Sequence, residues 1–239
     1  MTYFSVLFSY YRVSLLFALL PAIILMVLIY RQDKVEREPV GLLVRLVLFG
    51  GVSVIAAGLL EGVLISVLGI FIQNQYSIIF RFIEYFIIVA VVEEGCKYIV
   101  LRSTWNETSF NYRFDAVVYG VASALGFAAA ENIMYVFRLG IGVAPVRAIT
   151  AIPLHCICGI FMGHYYGMSK SCERWEMTGE MTMYHLMSII VPVLIHGFYD
   201  YAATSDSVFM EWIFVAFVVA IDLVAIRSVR KYSEQDTQV

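Results

Sequence analysis

The chain has 239 residues, of which 61% are apolar and 15% charged, where an ordinary soluble domain carries roughly 25% charged residues. That balance excludes a water-soluble globule, a disordered chain, a coiled coil and a small disulfide scaffold. A net charge of −3 without any basic run speaks against a nucleic-acid partner. The four cysteines, Cys96, Cys156, Cys158 and Cys172, lie in apolar sequence and read as small core fillers.

In chain order, seven apolar segments are predicted, over roughly 10–30, 42–72, 78–101, 114–137, 145–168, 184–204 and 208–227. Each is long enough to cross about 30 Å of hydrocarbon, and alternating ten-residue strands are missing. The expected fold is all-α: a polytopic membrane bundle of about seven helices, forming a single domain over 1–239. The first segment is too long for a cleavable signal, and Ile29-Tyr30-Arg31 is no small-residue cleavage site, so it is expected to stay. The longest connection is expected at about Ser169 to Met183, and Tyr232 to Val239 reads as a solvated tail.

Positive charge orients the bundle. Arg31, Lys34, Arg37, Arg102, Arg113, Lys170, Arg174, Arg227, Arg230 and Lys231 fall on one side, against Arg12, Arg81, Arg138 and Arg147 on the other. The richer side is cytoplasmic by the positive-inside rule, which puts the N-terminus outside and the C-terminus inside the cell membrane. Asn106-Glu107-Thr108 fits a glycosylation sequon but faces the cytoplasm on this topology, so no glycan is expected there.

Ionisable groups inside a bilayer are costly and default to function. The third segment carries Glu93, Glu94 and Lys97, the fourth Glu131 and Asn132, the fifth His155 and His164, and the sixth His196 and Asp200. Counted from the outer side at about 1.5 Å per residue, Glu93, Glu131, His155 and His196 fall within a slab roughly 13 Å thick. His164 lies deeper and points away from His155, and with Glu84 and Asp222 it reads as a satisfied core or interface group. Glu61, between Gly58 and Gly62, stays open as a candidate.

His196 and Asp200 are an i, i+4 pair, so the carboxylate can hold one imidazole nitrogen and direct the other. Lys97 is i+4 from Glu93 and i+3 from Glu94, and pairing with one would leave the other carboxylate free. Pro153 and Pro192 precede the two histidines and are expected to free backbone carbonyls beside a wet pocket. Gly159 with Gly163, and Gly126 with Ala130, form small-residue stripes that allow close helix contact.

Such a constellation suits a divalent metal, expected to be zinc, with Glu131, His155 and His196 as ligands and Glu93 or Glu94 taking the proton of an attacking water. A scheme without metal is equally compatible, with a carboxylate activating the water and His196 and His155 stabilising the oxyanion. A proton- or ion-coupled transporter uses the same residue types, but no internal two-fold repeat supports it. A non-catalytic scaffold would have no need of two buried acids.

The run Glu93-Glu94-Gly95-Cys96-Lys97-Tyr98, then Phe114-Asp115-Ala116-Val117-Val118-Tyr119-Gly120, then Gly126-Phe127-Ala128-Ala129-Ala130-Glu131-Asn132, then His155, then His196-Gly197-Phe198-Tyr199-Asp200, resembles the PrsW family of intramembrane proteases. The resemblance covers about residues 80–202, the expected catalytic core. Ala116 and Ala124 stand where the family pattern leads one to expect glycine. It implies proteolysis of a single-pass membrane substrate, an anti-sigma factor cut first on the outer side during the envelope stress response. It also implies Glu93 and Glu94 as paired catalytic acids, Glu131, His155 and His196 as the metal or polar site, and Asp200, Asn132 and Lys97 as their supports.

Overall fold

A computed structural model describes residues 2–239; of the side chains in the first seventeen residues, it describes those of Arg12, Leu15 and Leu16. The chain is helical nearly throughout. Helix α1 spans Thr2–Gln32, α2 Val40–Phe71 and α3 Ile78–Phe82, which passes through a π-helical stretch, Ile83–Val89, into α4, Ala90–Arg102. Then follow α5 (Arg113–Leu139), a 3₁₀ turn (Ile141–Val143), α6 (Ala144–Ile149), α7 (Ala151–Arg174), α8 (Thr178–Ala203) and α9 (Val208–Glu234).

Among the described residues, five stretches are long and apolar enough to cross a membrane: α2, α5, Ile141–Arg174, α8 and α9. The seven expected segments are all helical, but the third carries Arg81, Glu84, Glu93, Glu94 and Lys97 and is broken by the π turn. Of the first, the part with continuously described side chains, Ala18–Gln32, is an apolar helix. The lipid-facing surface is rich in large apolar side chains such as Leu48, Ile55, Leu59, Phe71, Phe209 and Trp212, as a bilayer solvent requires.

Helix α5 is the hub. In its most apolar window 72% of residues are buried, against 17% for α2 and 6% for α9. The cause is side-chain size. A Cβ added to Gly163 of α7 would lie 2.2 Å from the Ala116 carbonyl oxygen, and one added to Gly126 of α5 would lie 2.1 Å from the Val47 carbonyl oxygen of α2. The backbones of α7 and α2 therefore meet α5 at distances that only glycine permits. The expected stripes do pack closely, Gly159 and Gly163 against Gly120 and Ala116, and Gly126 against Val47.

Two connections differ from expectation. Polar residues around Ser169–Met183 are compatible with helix, so α7 runs on to Arg174 and α8 begins at Thr178; the longer connection is residues 103–112. Hydropathy marks where the hydrocarbon ends, and helices continue past it. The tail is not a free solvated end either: α9 extends to Glu234, Arg113 N–H donates to the Thr237 carbonyl at 3.0 Å, and Val239 N–H donates to the Asn111 carbonyl at 3.0 Å. Asp236 Oδ1 accepts from Phe114 N–H at 2.9 Å and Asp115 Oδ2 from Tyr112 N–H at 2.7 Å. The tail thus helps to cap α5, whose first N–H groups have no intrahelical partner.

Pro153 also acts differently. It is the third residue of α7, after the break at Thr150, where a missing N–H costs nothing. It helps to start a helix rather than kink one. Pro192 does lie inside α8, and its carbonyl receives the Cys158 thiol at 3.7 Å.

Gly163→Ala is expected to destabilise the bundle by about 1–3 kcal/mol through overpacking, whereas Gly95→Ala, with nothing within 4 Å of the added Cβ, is expected to be neutral or slightly stabilising. Thermal unfolding of both variants in the same detergent checks this; equal melting temperatures would refute the close-approach argument.

Candidate active site

The site is assembled from α4, α5, α7 and α8. The π-helical stretch immediately precedes α4, and such insertions shift the angular register of the residues that follow. Glu93 and Glu94 then stand on adjacent faces. Glu93 lines a cavity of about 1080 Å³ together with Glu61, Glu131, His155, His196 and Asp200. Glu94 lies behind it, with no exposed surface.

Lys97 ties these groups together. Its ammonium, fully buried, donates to Glu94 Oε1 at 2.7 Å, to His155 Nδ1 at 2.9 Å and to Glu93 Oε2 at 3.2 Å. It also sits 4.3 Å from the centre of the Phe127 ring, a cation–π contact strengthened by desolvation. Lys97 therefore pairs with both acids, not with one, because its position one turn below them brings both carboxylates within reach.

An ammonium has no lone pair to offer, so Nδ1 of His155 is the acceptor and Nε2 carries the hydrogen. That hydrogen is donated to Glu131 Oε2 at 3.0 Å. Glu131 is held from its other side by Arg147, whose Nη2 donates to the same oxygen at 2.8 Å. Arg147 Nε donates to Asn132 Oδ1 at 3.0 Å, and Asn132 Nδ2 donates to the Ala18 carbonyl at 2.9 Å, joining α1 to the site.

His196 faces two ways. Nδ1 donates to Glu94 Oε1 at 2.7 Å, while Nε2 lies 3.3 Å from Asp200 Oδ2 and 3.8 Å from Glu93 Oε2. Its ring stands perpendicular to that of His155, with centroids 5.2 Å apart. The i, i+4 pairing of His196 with Asp200 is present, and a second carboxylate, Glu94, fixes the other nitrogen.

One ligand atom each from Glu93, His155 and His196 lie within 4.8 Å of one another, all three residues buried. Among the described residues this is the group on the cavity wall that could hold a metal ion. The expected ligand set of Glu131, His155 and His196 is drawn together less tightly, since Glu131 is taken up by Arg147 and His155. The donor chemistry fits a divalent ion: two imidazoles and a carboxylate beside an open cavity, with Glu94 orienting His196 as carboxylates orient ligating imidazoles. The charge balance fits as well: among the described residues, Glu61, Glu93, Glu131 and Asp200 on the cavity wall and Glu94 behind it outnumber the fixed cations Lys97, Arg138 and Arg147.

Outside this group, His164 stacks on Tyr232 at 3.7 Å between centroids, and Glu84 sits half-buried on the π stretch. Glu61 reaches the cavity, and its Oε1 is buried without a partner. Arg147 is the site residue that sequence reasoning passed over, having been counted as a topological charge. A signal was available, since it falls eight residues before His155 on the stretch that leads into α7.

A sequence profile of the PrsW family, intramembrane metalloproteases, matches residues 38–226. Protease PrsW of Oceanobacillus iheyensis is 29% identical over 215 residues, covering 90% of this chain and 93% of that protein. Protease PrsW of Bacillus subtilis is 30% identical over 195 residues, covering 81% and 83%, and that of Clostridioides difficile is 28% identical over 229 residues, covering 94% and 93%. No solved structure matches the chain. With a buried Glu–His–His group on a cavity inside a helical bundle, and with the family profile spanning most of its length, the chain belongs to the PrsW family of intramembrane metalloproteases.

Proposed function

We propose that the chain is an intramembrane endopeptidase whose reaction is centred on Glu93, His155 and His196. The observation that carries this is their convergence from three helices onto one buried point of a cavity. When bound there, a divalent metal, zinc by its ligand preference, would polarise the peptide carbonyl and make water nucleophilic near neutral pH. Glu93 and His196 through Nε2 would hold it together with His155, whose free lone pair is on Nδ1, where Lys97 donates in the structure. Glu94 fixes the tautomer of His196, and Lys97 keeps Glu93, Glu94 and His155 in register.

The attacking water gives its proton to a cavity carboxylate. Glu131, on His155, and Asp200, on His196, are placed for this and for passing the proton to the departing amine. Arg147 orients Glu131. Scission thus breaks the peptide C–N bond, forms a C–O bond from water and delivers the proton to the amine.

The cavity wall includes the glycines Gly58 and Gly62 of the lipid-exposed α2, which leaves room beside Glu61 for an approaching peptide backbone. A single-pass membrane protein is the substrate class this suits, and an anti-sigma factor cut at its outer side is the specific substrate proposed, in line with the family resemblance. A seven-crossing topology with the N-terminus outside and the C-terminus inside follows from the charge bias and puts the cavity toward the outer half.

Glu93→Gln and His196→Ala are expected to lower cleavage of a co-expressed tagged anti-sigma factor by about 10²-fold or more while the protein still folds and inserts. Immunoblotting of the substrate checks this, and unimpaired cleavage by both variants would end the assignment.

Chelation followed by dialysis is expected to remove activity, and added zinc to restore it. Metal analysis should find about one bound ion per chain in the wild type and a loss in His155→Ala. Full activity of a metal-free preparation would instead support direct activation of water by a carboxylate.

A further inference from the structure

At the other end of α5 lies a second group of acids that the proteolytic site does not use. Asp115 and Glu131 are sixteen residues apart on this helix, about 24 Å along its axis. Asp33 and Glu38, from the connection between α1 and α2, close onto Asp115, and one oxygen from each lies within 4.8 Å of the others. All three residues are buried, from 0% to 4% exposed.

Hydrogen bonds to donors elsewhere in the chain account for only part of this gathering, and the carboxyl groups of Glu38 and Asp115 lie close enough to share a proton. Both oxygens of Asp33 and Oδ1 of Asp115 are buried without a hydrogen-bond partner. Glu38 Oε2 receives the Tyr119 hydroxyl, and Asp115 Oδ2 receives the N–H groups of Asn111 and Tyr112 at 2.9 and 2.7 Å. Among the described residues no lysine, arginine or histidine forms an ion pair with any of the three. Burial pushes the Asp33 carboxyl up to about 6 and that of Glu38 up to about 7.

We propose that Asp33, Glu38 and Asp115 form a second metal site, one for a hard divalent cation such as calcium or magnesium. Ligands are all oxygen, which such ions select and zinc does not require. Calcium binds oxygen at about 2.3–2.6 Å, so ligands across the ion stand roughly 5 Å apart, and separations within 4.8 Å fit that span. The unpartnered oxygens supply lone pairs, and the exposed residues Lys34 to Arg37 leave a short loop through which the ion and its remaining waters enter.

Bound there, the cation cross-links the α1–α2 connection to the start of α5. The C-terminal tail closes over the same place, with Asp236 on Phe114 N–H and Ser233 Oγ donating to the Gln32 carbonyl at 2.5 Å. The ion therefore fastens three distant parts of the chain at the end of the bundle remote from the cavity.

Terbium(III) luminescence of the full chain in a neutral detergent, excited through the aromatic residues, tests this, because Tyr119 touches the ligand Glu38. The same preparation is melted with and without millimolar calcium or magnesium. Sensitised emission displaced by calcium or magnesium is expected, with a melting temperature raised by several degrees. Both effects should persist in a His155→Ala, His196→Ala variant and weaken at least tenfold in apparent affinity in Asp33→Asn and Asp115→Asn.

No cation response in the wild type would overturn the proposal and leave the cluster as protonated carboxyls. So would a response unchanged in both Asp→Asn variants, or one abolished with the two histidines, which would assign it to the proteolytic site. If an Asp→Asn variant fails to fold, the wild type and the histidine variant still decide.

Discussion

One buried ammonium organises the candidate active site. Lys97 has no exposed surface, so its N–H groups are satisfied by partners within the protein. It finds Glu93, Glu94 and His155, and each of those bonds transmits order to another helix. Through His155 it reaches α7 and then Glu131 on α5; through Glu94 it reaches His196 on α8. A charge-assisted network of this kind is stabilising only when it is complete. Removing Lys97 would take from Glu93 and Glu94 the counter-charge they share, so the same residue that costs most to bury also sets the positions of the groups around it.

The cost of burying polar groups explains which of the paired acids faces the cavity. Glu94 accepts from both Lys97 and His196 and is enclosed, which makes it a positioning residue by its contacts. Glu93 accepts from Lys97 alone at 3.2 Å and keeps a face toward the cavity and His196. Two adjacent acids on a helix point about 100° apart, so they could not both have served the same purpose. The helical register that the π stretch sets is what assigns the roles.

Much of this was legible because the bilayer makes polar residues conspicuous. Glu93, Glu94, Lys97, Glu131, His155, His196 and Asp200 stand out against apolar sequence, and counting depth along antiparallel helices places four of them in one slab. Helical periodicity also separates His155 from His164. What depth and spacing leave out is rotation about each helix axis, and so the partition between Glu93 and Glu94, the double pairing of Lys97 and the capture of Glu131 by Arg147 were not readable. Arg147 was hidden for a different reason, since a charge near a helix end carries the signature of topology and folds inward only because Glu131 and Asn132 receive it. The tail and the Asp33–Glu38–Asp115 group lie where hydropathy has no contrast, and acidic loop residues say little about topology.

Helix α5 connects these two regions by necessity rather than by a signalling path. Its small residues let α2 and α7 approach to backbone contact, and that closeness leaves no space for larger side chains on the two faces where they touch. The charged groups on α5 are accordingly at its two ends, Asp115 at one and Glu131 with Asn132 at the other; between them lie Tyr119, whose hydroxyl reaches Glu38, and Ser123, whose hydroxyl is given to the Lys97 carbonyl at 3.0 Å. At the Asp115 end the N-terminal N–H groups favour carboxylates, and the loop and the tail bring more of them. At the Glu131 end no such donors exist, and the carboxylate must be held by Arg147 and His155. The same packing rule that makes α5 the hub thus separates an acid cluster with unpartnered oxygens from a site where acids, imidazoles and cations interlock beside a cavity. The interlocked end has both the partners and the space that peptide-bond chemistry requires.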